Sequence, residues 1–287
     1  MPVFVVFFAV LLMIPRVSKL CKLKKEGDTE LNIRNAEEIR TRDLHTMSVN
    51  AVLVSSAAYV GSLGAFLLGT FVPNLPDIPI GCILPSKNDS FREWKNAQSI
   101  LIALYGLHFC RRTFEVFFVH KYARSQTVLD AVGAQVYYWA FAFWIGWSIR
   151  PDAGYENTYL TLFIIGVIMF CLGEIGNCAA HLQLRKLRSS RLQTESGDSI
   201  GTRGHVIPRG VLFSYVSCPH YSFEILTWLG FLLATWVIAS IIFFLATSIT
   251  LLVYSTKHHQ RYKNDFDGEH GRELYPPQRK ALIPFIY

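Results

Sequence analysis

Six long apolar runs constrain the fold of this chain more than any other feature. Each run is close to the roughly 20 residues that a helix needs to cross the hydrocarbon of a bilayer. They cover about residues 48–72, 99–120, 133–149, 159–178, 222–238 and 238–255. Because 51% of the 287 residues are hydrophobic and only 17% are charged, the chain is too apolar for a soluble enzyme of this size. The sequence predicts an all-α, multi-pass transmembrane helical bundle of about six to seven spans, in which the last two runs can form a tight hairpin.

The N-terminal region is predicted to differ from the rest. Residues 1–14 are apolar but short, and they lack a basic leader. A frayed span, an interfacial anchor and an atypical signal sequence are the three interpretations that remain open. We therefore divide the chain into a short basic segment, 1–47, and a membrane domain, 48–287, whose catalytic region starts near residue 100.

Basic residues indicate the orientation of the bundle. Counting spans places four basic segments on one side: 15–47, 121–132, 179–211 and 256–287. The loops of the opposite side, 73–98 and 150–158, contain few Lys and Arg, and the first of them carries the glycosylation sequon Asn88-Asp89-Ser90. Because short cytosolic loops are enriched in basic residues, the basic side is predicted to be cytosolic. The net charge of +7 would also suit an anionic cofactor or an acyl-CoA.

Several site classes have no motif in this sequence. The six cysteines are scattered, without a CxxC pair or a His/Cys cluster at metal-ligand spacing. No Walker A sequence and no GxGxxG after a strand-like segment is present. The sequence thus predicts neither a disulfide framework nor a metal site, and a soluble nucleotide-binding domain is disfavoured. Membrane lipid is the expected environment, and no nucleic-acid partner is expected.

The string from Ser217 to Glu224 sets polar residues beside an apolar run. If it is helical, Tyr221, Glu224 and Trp228 project from one face, because they are spaced i, i+3 and i+7. Ionisable residues at membrane depth usually belong to a functional site. The alternative is a helix entry with Pro219 in the first turn, Tyr221 at the lipid interface and Glu224 merely solvated.

A second polar stripe follows the fourth apolar run. Asn177, His181, Arg185 and Arg188 fall on one narrow side of a helix. Arg suits bidentate contact with phosphate, and Asn and His can hydrogen-bond an amide or a ribose. The alternative is a helix end with arginines that snorkel to the cytosolic boundary.

Charged residues also interrupt the second apolar run. Arg111, Arg112 and Glu115 are costly there unless they pair or line a polar cavity. Glu115 can pair with Arg111 at i, i+4 or with Arg112 at i, i+3, so a structural ion pair competes with a polar cavity. The tail 275–287 combines basic residues with an apolar end and is predicted to be docked rather than free.

Four segments of this chain together resemble the steroid 5α-reductase superfamily, and most closely its very-long-chain trans-2-enoyl-CoA reductase branch. In order they are HFCRRTFEVFFVHKY (108–122), GNCAAHLQLRKLR (176–188), VSCPHYSFEILTWLGF (216–231) and YPPQRKALIPFIY (275–287). The resemblance extends from about residue 100 to the C-terminus. Steroid reductases tend to have Gly-Ala-Asn-Phe in place of Cys218-Pro219-His220-Tyr221, Asp in place of His181, and Tyr in place of Phe109.

The chain also departs from the enoyl-CoA branch. That branch typically has Asn in place of His220 and often Lys in place of Arg111, and polyprenol reductases share a Ser-Pro-Asn-Tyr variant. The ubiquitin-like domain of animal enoyl reductases is not recognisable in segment 15–47. A role that depends on a titratable lysine at position 111 is therefore not expected here.

The resemblance implies NADPH bound from the cytosolic face, hydride transfer to the β-carbon of a trans-2-enoyl thioester, and proton delivery to the α-carbon. Tyr221 is the expected proton donor, since a phenol beside cationic groups can transfer a proton. Arg111 and Arg112 would stabilise the enolate or the CoA phosphates, with Glu115 orienting them. The implied cofactor contacts are Asn177, His181, Arg185, Arg188, His220, Glu224, His258, Arg261, Tyr262 and Arg279.

The resemblance further implies residence in the endoplasmic-reticulum membrane and a role in very-long-chain fatty acid and sphingolipid synthesis. Long-chain acyl-CoA, membrane lipid and other fatty acid elongation enzymes are the expected partners. A steroid or polyprenol reductase is the nearest alternative. An isoprenylcysteine-type methyltransferase has a similar His-Pro-Tyr-like string and a C-terminal basic tail, but it would need S-adenosylmethionine and usually carries a late paired-carboxylate element that is absent here. A non-enzymatic membrane scaffold is the third alternative.

Overall fold

The all-α fold is confirmed in the computed structural model, which describes residues 48–72, 97–120, 126–150, 160–195, 207–269, 273–284 and 286, with side chains of the fourth helix through Leu187. The helices are α1 Ala51–Phe71, α2 Ala97–Phe118, α3 Val128–Ser148, α4 Leu160–Glu195, α5 Pro219–Thr235 and α6 Ile238–Asp265. Two-residue strands, β1 Ser48–Val49 and β2 Gln126–Thr127, pair antiparallel. A short 3-10 helix spans Val211–Phe213. The predictions for residues 1–47 and for the Asn88 sequon lie outside the described residues.

Within the described ranges, four helices are long and apolar enough to cross a membrane: α1, α3, α4 through Leu187, and α6. Helix α2 contains three charged residues and α5 has only 17 residues, so these two do not meet the same criteria of length and composition. Large apolar side chains point outward from the long helices, and Leu53, Ile168 and Ile249 are each more than half exposed. Such exposure suits contact with lipid. The chain is therefore a membrane protein.

Two helices are longer than the apolar runs that predict them. Helix α4 continues to Glu195, through the start of a stretch that its polar composition marks as a linker, 191–206. The residues after 178 are mostly good helix formers, and the next glycine is Gly197. Helix α6 likewise continues to Asp265. Hydropathy reports where the apolar stretch ends, and a helix can continue beyond that point into water.

The described chain forms two compact units. The first contains β1, α1, α2 from Gln98, β2 and α3, and in it α1 packs closely against α3. A Cβ added at Gly69 would lie 2.3 Å from the Phe143 carbonyl oxygen, and a Cβ added at Gly146 would lie 2.2 Å from the Phe66 carbonyl oxygen. Small residues let two helix backbones approach this closely. From α2, Tyr105 stacks on Phe66 with ring centroids 3.9 Å apart.

The second unit contains His120, α4, α5, α6 and the C-terminal segment. Helices α4 and α5 also cross at glycines: an added Cβ at Gly173 would lie 2.6 Å from the Thr227 amide nitrogen, and one at Gly230 would lie 2.4 Å from that of Phe170. The predicted tight hairpin is confirmed, because only residues 236–237 separate α5 from α6. This arrangement fixes the start of α5 against α4.

Candidate functional site

The first unit holds a cluster of charges on α2. Glu115 is only 1% exposed. It accepts a hydrogen bond from Arg111 and another, at 2.9 Å, from Nη1 of Arg112. Nη2 of Arg112 donates to the Tyr59 hydroxyl, also at 2.9 Å, and the guanidinium lies 5.2 Å from the Tyr59 ring centroid. The two ion pairs that the sequence offered as alternatives thus form together, and the three side chains sum to one positive charge.

In the second unit, the start of α5 presents Tyr221. Pro219 occupies the first helical turn, where a missing N–H costs nothing, and Tyr221 follows within the same turn. Its ring centroid lies 4.2 Å from that of His220 and 6.1 Å from that of His258 on α6. Tyr221 is half-buried. A phenol therefore lies beside two imidazoles, and both residue types act as general acids or bases in enzymes.

The polar stripe of α4 reaches this place with its first two members. Asn177 is 1% exposed, and its Nδ2 donates to the His220 carbonyl oxygen at 2.7 Å. The His181 ring lies 5.6 Å from that of His220 and 4.8 Å from that of His120. Arg185 is exposed, and the side chain of Arg188 lies outside the described residues. Asn177 and His181 thus both contact His220, the residue before Tyr221, and His120 lies beside His181.

Glu224 follows one turn later on α5. It is half-buried, and its Oε1 accepts a hydrogen bond of 3.1 Å from Nε1 of Trp228. Trp228 is 2% exposed. The interpretation of Glu224 as merely solvated is therefore wrong, since its carboxylate is held by a buried indole on the same helix face.

A second group of predicted cofactor residues meets at Tyr275. Tyr262 stacks on Tyr275 with centroids 5.6 Å apart and ring planes within 3°. The Arg279 guanidinium lies 5.5 Å from the same ring centroid. Arg261 is exposed and forms an ion pair of 3.5 Å with Asp265. The structure thus brings Tyr262 and Arg279 to one aromatic ring but turns Arg261 outward.

The C-terminal strap, which we define as residues 275–282, is hydrogen-bonded along the approach to α5. The amide nitrogens of Ser217 and Cys218 donate to the carbonyl oxygens of Lys280 and Ala281 at 2.8 and 3.2 Å. The Ser222 hydroxyl donates to the Leu282 carbonyl oxygen at 2.5 Å. The predicted docking of the tail is therefore confirmed.

Ser217 joins these parts, and no sequence argument assigned it a role. Its Oγ lies 2.6 Å from Nδ1 of His259, 2.7 Å from the Tyr275 hydroxyl and 3.1 Å from the Lys280 carbonyl oxygen. Its partners are 42 to 63 residues away in the chain. Helical periodicity cannot report contacts at that separation. The only available signal was that Ser217 and Tyr275 stand inside two of the four resembling segments.

Cys218 is buried next to Tyr221, and its protonation bears on the chemistry. Burial in apolar surroundings raises the pKa of the Cys218 thiol to about 12. It is therefore a neutral thiol near pH 7, and a thiolate is the nucleophilic form of cysteine. The other groups at this place with a proton to exchange are the Tyr221 phenol and the imidazoles of His220 and His258.

Arg279 offers the clearest fit to a cofactor phosphate. It is 7% exposed, and its Nη1 donates to the Pro208 carbonyl oxygen at 2.8 Å. Among the described residues it has no carboxylate partner, and its Nε has no hydrogen-bond acceptor. A buried guanidinium normally requires a counter-charge, and guanidinium matches phosphate geometry. The residues present therefore suit an anionic, phosphate-bearing cofactor.

Comparison with known proteins gives one family match. A family profile described as 3-oxo-5-alpha-steroid 4-dehydrogenase matches residues 125–287. The chain is 32% identical over 195 residues to a very-long-chain enoyl-CoA reductase of Dictyostelium discoideum. The aligned region covers 66% of this chain and 58% of that protein. It is 31% identical over 264 residues to a putative enoyl-CoA reductase of Trypanosoma brucei brucei, and this alignment covers 91% of the chain and 80% of that protein. It is 32% identical over 190 residues to 3-oxo-5-alpha-steroid 4-dehydrogenase 1 of Rattus norvegicus, and this alignment covers 65% of the chain and 67% of that protein. The chain thus spans less than two thirds of the length of the Dictyostelium protein.

Proposed function

Because the chain belongs to the 3-oxo-5-alpha-steroid 4-dehydrogenase family, we propose that it catalyses the NADPH-dependent reduction of the trans-2 double bond of very-long-chain enoyl-CoA. This is the last step of the fatty acid elongation cycle. Family membership supports an oxidoreductase, and the enoyl-CoA reductases among its relatives favour this substrate. The observation that carries the proposal is the half-buried phenol of Tyr221 beside His220 and His258.

The second unit would hold the cofactor. The phosphates would bind to Arg279 and to the basic residues Arg185, Arg188 and Arg261. Polar side chains would bind the rest of the molecule: Asn177, His181, His220, Glu224, His258 and Tyr262. When bound, NADPH supplies the hydride that adds to the β-carbon of the enoyl thioester. The buried guanidinium of Arg279 supports this assignment, because a phosphate would supply the counter-charge that the described residues do not.

Tyr221 would complete the reaction. Addition of hydride to the β-carbon leaves an enolate, whose negative charge is shared between the thioester oxygen and the α-carbon. The Tyr221 hydroxyl then donates its proton to the α-carbon, which yields the saturated acyl-CoA and a phenolate. The nearby imidazoles of His220 and His258 would hydrogen-bond that phenolate, and a proton from water would return to it through them.

The α2 cluster would act on negative charge in the substrate. Arg111 and Arg112 carry two positive charges against the one negative charge of Glu115. The remaining charge would stabilise the enolate oxygen or bind the CoA phosphates. Glu115 would hold both guanidiniums in fixed orientations, because it accepts hydrogen bonds from Arg111 and Arg112. Tyr59 would restrain Arg112 further, since its hydroxyl accepts a second bond from that guanidinium.

We place the protein in the endoplasmic-reticulum membrane as a multi-pass enzyme whose active site faces the cytosol. Four apolar helices support the membrane assignment, and the basic residues of segments 179–211 and 256–287 support the orientation. Its partners would be long-chain acyl-CoA, surrounding lipid and other enzymes of fatty acid elongation. A site within the membrane would receive an acyl chain that is too apolar to enter from water.

The test is NADPH oxidation by the detergent-purified protein in the presence of a long trans-2-enoyl-CoA. We expect Tyr221→Phe to lower kcat by at least about 100-fold, because it removes the proton donor, while the Kd for NADPH changes little. Tyr254→Phe is the matched control, since Tyr254 is 48% exposed on α6 and has no part in the proposed reaction. Full activity of Tyr221→Phe would contradict its role as the donor.

Steroid reduction is the second candidate, because the rat steroid dehydrogenase is as similar in identity as the Dictyostelium enoyl-CoA reductase. The same assay with a 3-oxo-4-ene steroid in place of the enoyl-CoA separates the two substrates. We expect turnover with the enoyl-CoA and little with the steroid. The reverse result would keep the cofactor assignment and move the chain to the steroid substrate.

A further inference from the structure

We propose that Ser217 is a positioning residue that holds Arg279 in place for NADPH. The inference rests on the proposed function, since it assigns Arg279 to the cofactor. Ser217 does not touch the cofactor in this proposal. It acts through Tyr275. The Tyr275 hydroxyl forms a hydrogen bond with Ser217, and the Arg279 guanidinium packs against the Tyr275 ring.

The hydrogen bonds of Ser217 can be assigned by counting protons. A serine hydroxyl has one proton to donate and two lone pairs to accept with. The Lys280 carbonyl oxygen can only accept, so it takes the Ser217 proton at 3.1 Å. All three bonds form together only when Tyr275 and Nδ1 of His259 both donate to Ser217 Oγ, at 2.7 and 2.6 Å. Ser217 is 2% exposed, so these bonds are shielded from bulk water.

The Tyr275 ring transmits this order to Arg279. The hydroxyl of Tyr275 is held by Ser217, and the Tyr275 ring stacks nearly parallel on Tyr262. The hydrogen bond and the stacking contact together restrain the ring. Arg279 lies 5.5 Å from the ring centroid, and within the described part of the chain its guanidinium forms one hydrogen bond, to the Pro208 carbonyl oxygen. The orientation of the guanidinium therefore depends on where Ser217 holds the ring.

Loss of the Ser217 hydroxyl should leave the fold intact. The strap keeps its backbone bonds from Ser217 N to Lys280 O and from Cys218 N to Ala281 O. It also keeps the bond from the Ser222 hydroxyl to the Leu282 carbonyl oxygen. Removing the hydroxyl therefore changes the orientation of Tyr275 and His259 more than the attachment of the strap.

The experiment compares Ser217→Ala, Tyr275→Phe and the double variant in the 287-residue protein. Tyr275→Phe keeps the ring that stacks on Tyr262 and removes only the hydroxyl. Each single variant should raise the Kd for NADPH roughly tenfold, the effect expected for leaving a buried hydrogen-bonding group without its partner. At saturating NADPH, kcat with enoyl-CoA should stay within about twofold, because Ser217 acts through cofactor binding in this proposal. The Kd for NADPH of the double variant should be about equal to the higher Kd of the two single variants, since both changes break the same bond.

Ser214→Ala is the control, because Ser214 is exposed and its hydroxyl donates only to the nearby Gly210 carbonyl oxygen. It should leave the Kd for NADPH unchanged. An unchanged Kd in both Ser217→Ala and Tyr275→Phe would overturn the proposal, and so would a fall in kcat with no change in Kd. Additive effects in the double variant would also overturn it, because they would mean that the two hydroxyls act separately.

Failure of the proposed function is distinguishable. If the wild-type protein does not bind NADPH, the cofactor assignment fails, and the reactivity of the Arg279 guanidinium toward phenylglyoxal then decides whether Ser217 holds it in place. Mass spectrometry should find Arg279 modified several-fold faster in Ser217→Ala than in Ser214→Ala. Equal rates of modification would overturn the positioning role independently of any cofactor.

Discussion

Glu115 is a buried carboxylate on a helix that otherwise suits lipid. It is 1% exposed and is bonded to both Arg111 and Arg112, whose side chains are 14% and 15% exposed. A buried carboxylate without a partner would neutralise or unfold its surroundings, whereas a paired and hydrogen-bonded one can remain charged. The two arginines therefore depend on Glu115 as much as it depends on them, because its loss leaves two like charges close together.

We predict that Glu115→Gln destabilises the protein by about 3 kcal/mol, since it removes one partner of a buried ion pair and leaves the arginines unneutralised. The change should appear as a lower midpoint of thermal unfolding, followed by size-exclusion chromatography in detergent. Glu273→Gln is the matched control: its partner Arg209 is 70% exposed and Glu273 is 54% exposed, so the effect there should be below about 1 kcal/mol. Equal midpoints for the two variants would contradict the structural role of Glu115.

The residues that could be found from the sequence are those whose spacing lies on one helix. Asn177 and His181 share one side of α4, and the structure brings both to His220. Ser217 and Tyr275 could not be found in this way, because their contact joins positions 58 residues apart. Helical periodicity predicts which side of a helix a residue lies on, and it contains no information about the strap that returns to that helix.

At the scale of elements, the helix pairs are set by close approach of backbones. Gly69 of α1 and Gly146 of α3 face each other's helix so closely that even a methyl group would contact a carbonyl oxygen. Inside a bilayer, helix association depends on such packing, because lipid is as apolar as the helix surfaces. The crossing of α1 and α3 therefore requires both glycines.

We predict that Gly69→Ala destabilises the first unit by about 1–3 kcal/mol, the usual cost of forcing extra atoms into a packed site. Its Cβ would lie 2.3 Å from the Phe143 carbonyl oxygen, and a backbone atom cannot move aside cheaply. Gly64→Ala in the same helix is the control, since no atom lies within 4 Å of its added Cβ. It should be neutral or slightly stabilising, because alanine favours helix more than glycine does.

The check is the thermal unfolding midpoint of each variant in detergent. A Gly69→Ala protein as stable as Gly64→Ala would contradict the close packing of α1 and α3. The existence of these helices was predictable from their apolar runs, but their ends were not. Helix α6 continues to Asp265 because a helix that leaves the apolar region can satisfy its backbone hydrogen bonds internally, whatever the polarity of its side chains.

At the scale of the whole molecule, an all-α membrane fold of the 3-oxo-5-alpha-steroid 4-dehydrogenase family accounts for the composition of the chain. The high apolar content reflects helices that contact lipid on their outer faces. The buried polar residues Asn177, Ser217 and Arg279 lie in the second unit, and they support the proposed cofactor site. Family membership was predictable from four segments in order, whereas the substrate is a proposal, because enoyl-CoA and steroid reductases share this family.

The most direct test of the proposed reaction is deuterium transfer from NADPH that carries deuterium in both positions at C4 of the nicotinamide. The purified protein would convert a long trans-2-enoyl-CoA, and mass spectrometry and NMR of the product would locate the label. We predict one deuterium on the β-carbon and, in ordinary water, an unlabelled proton on the α-carbon. An unreduced substrate, a product without deuterium or a label on the α-carbon would contradict the proposed reaction.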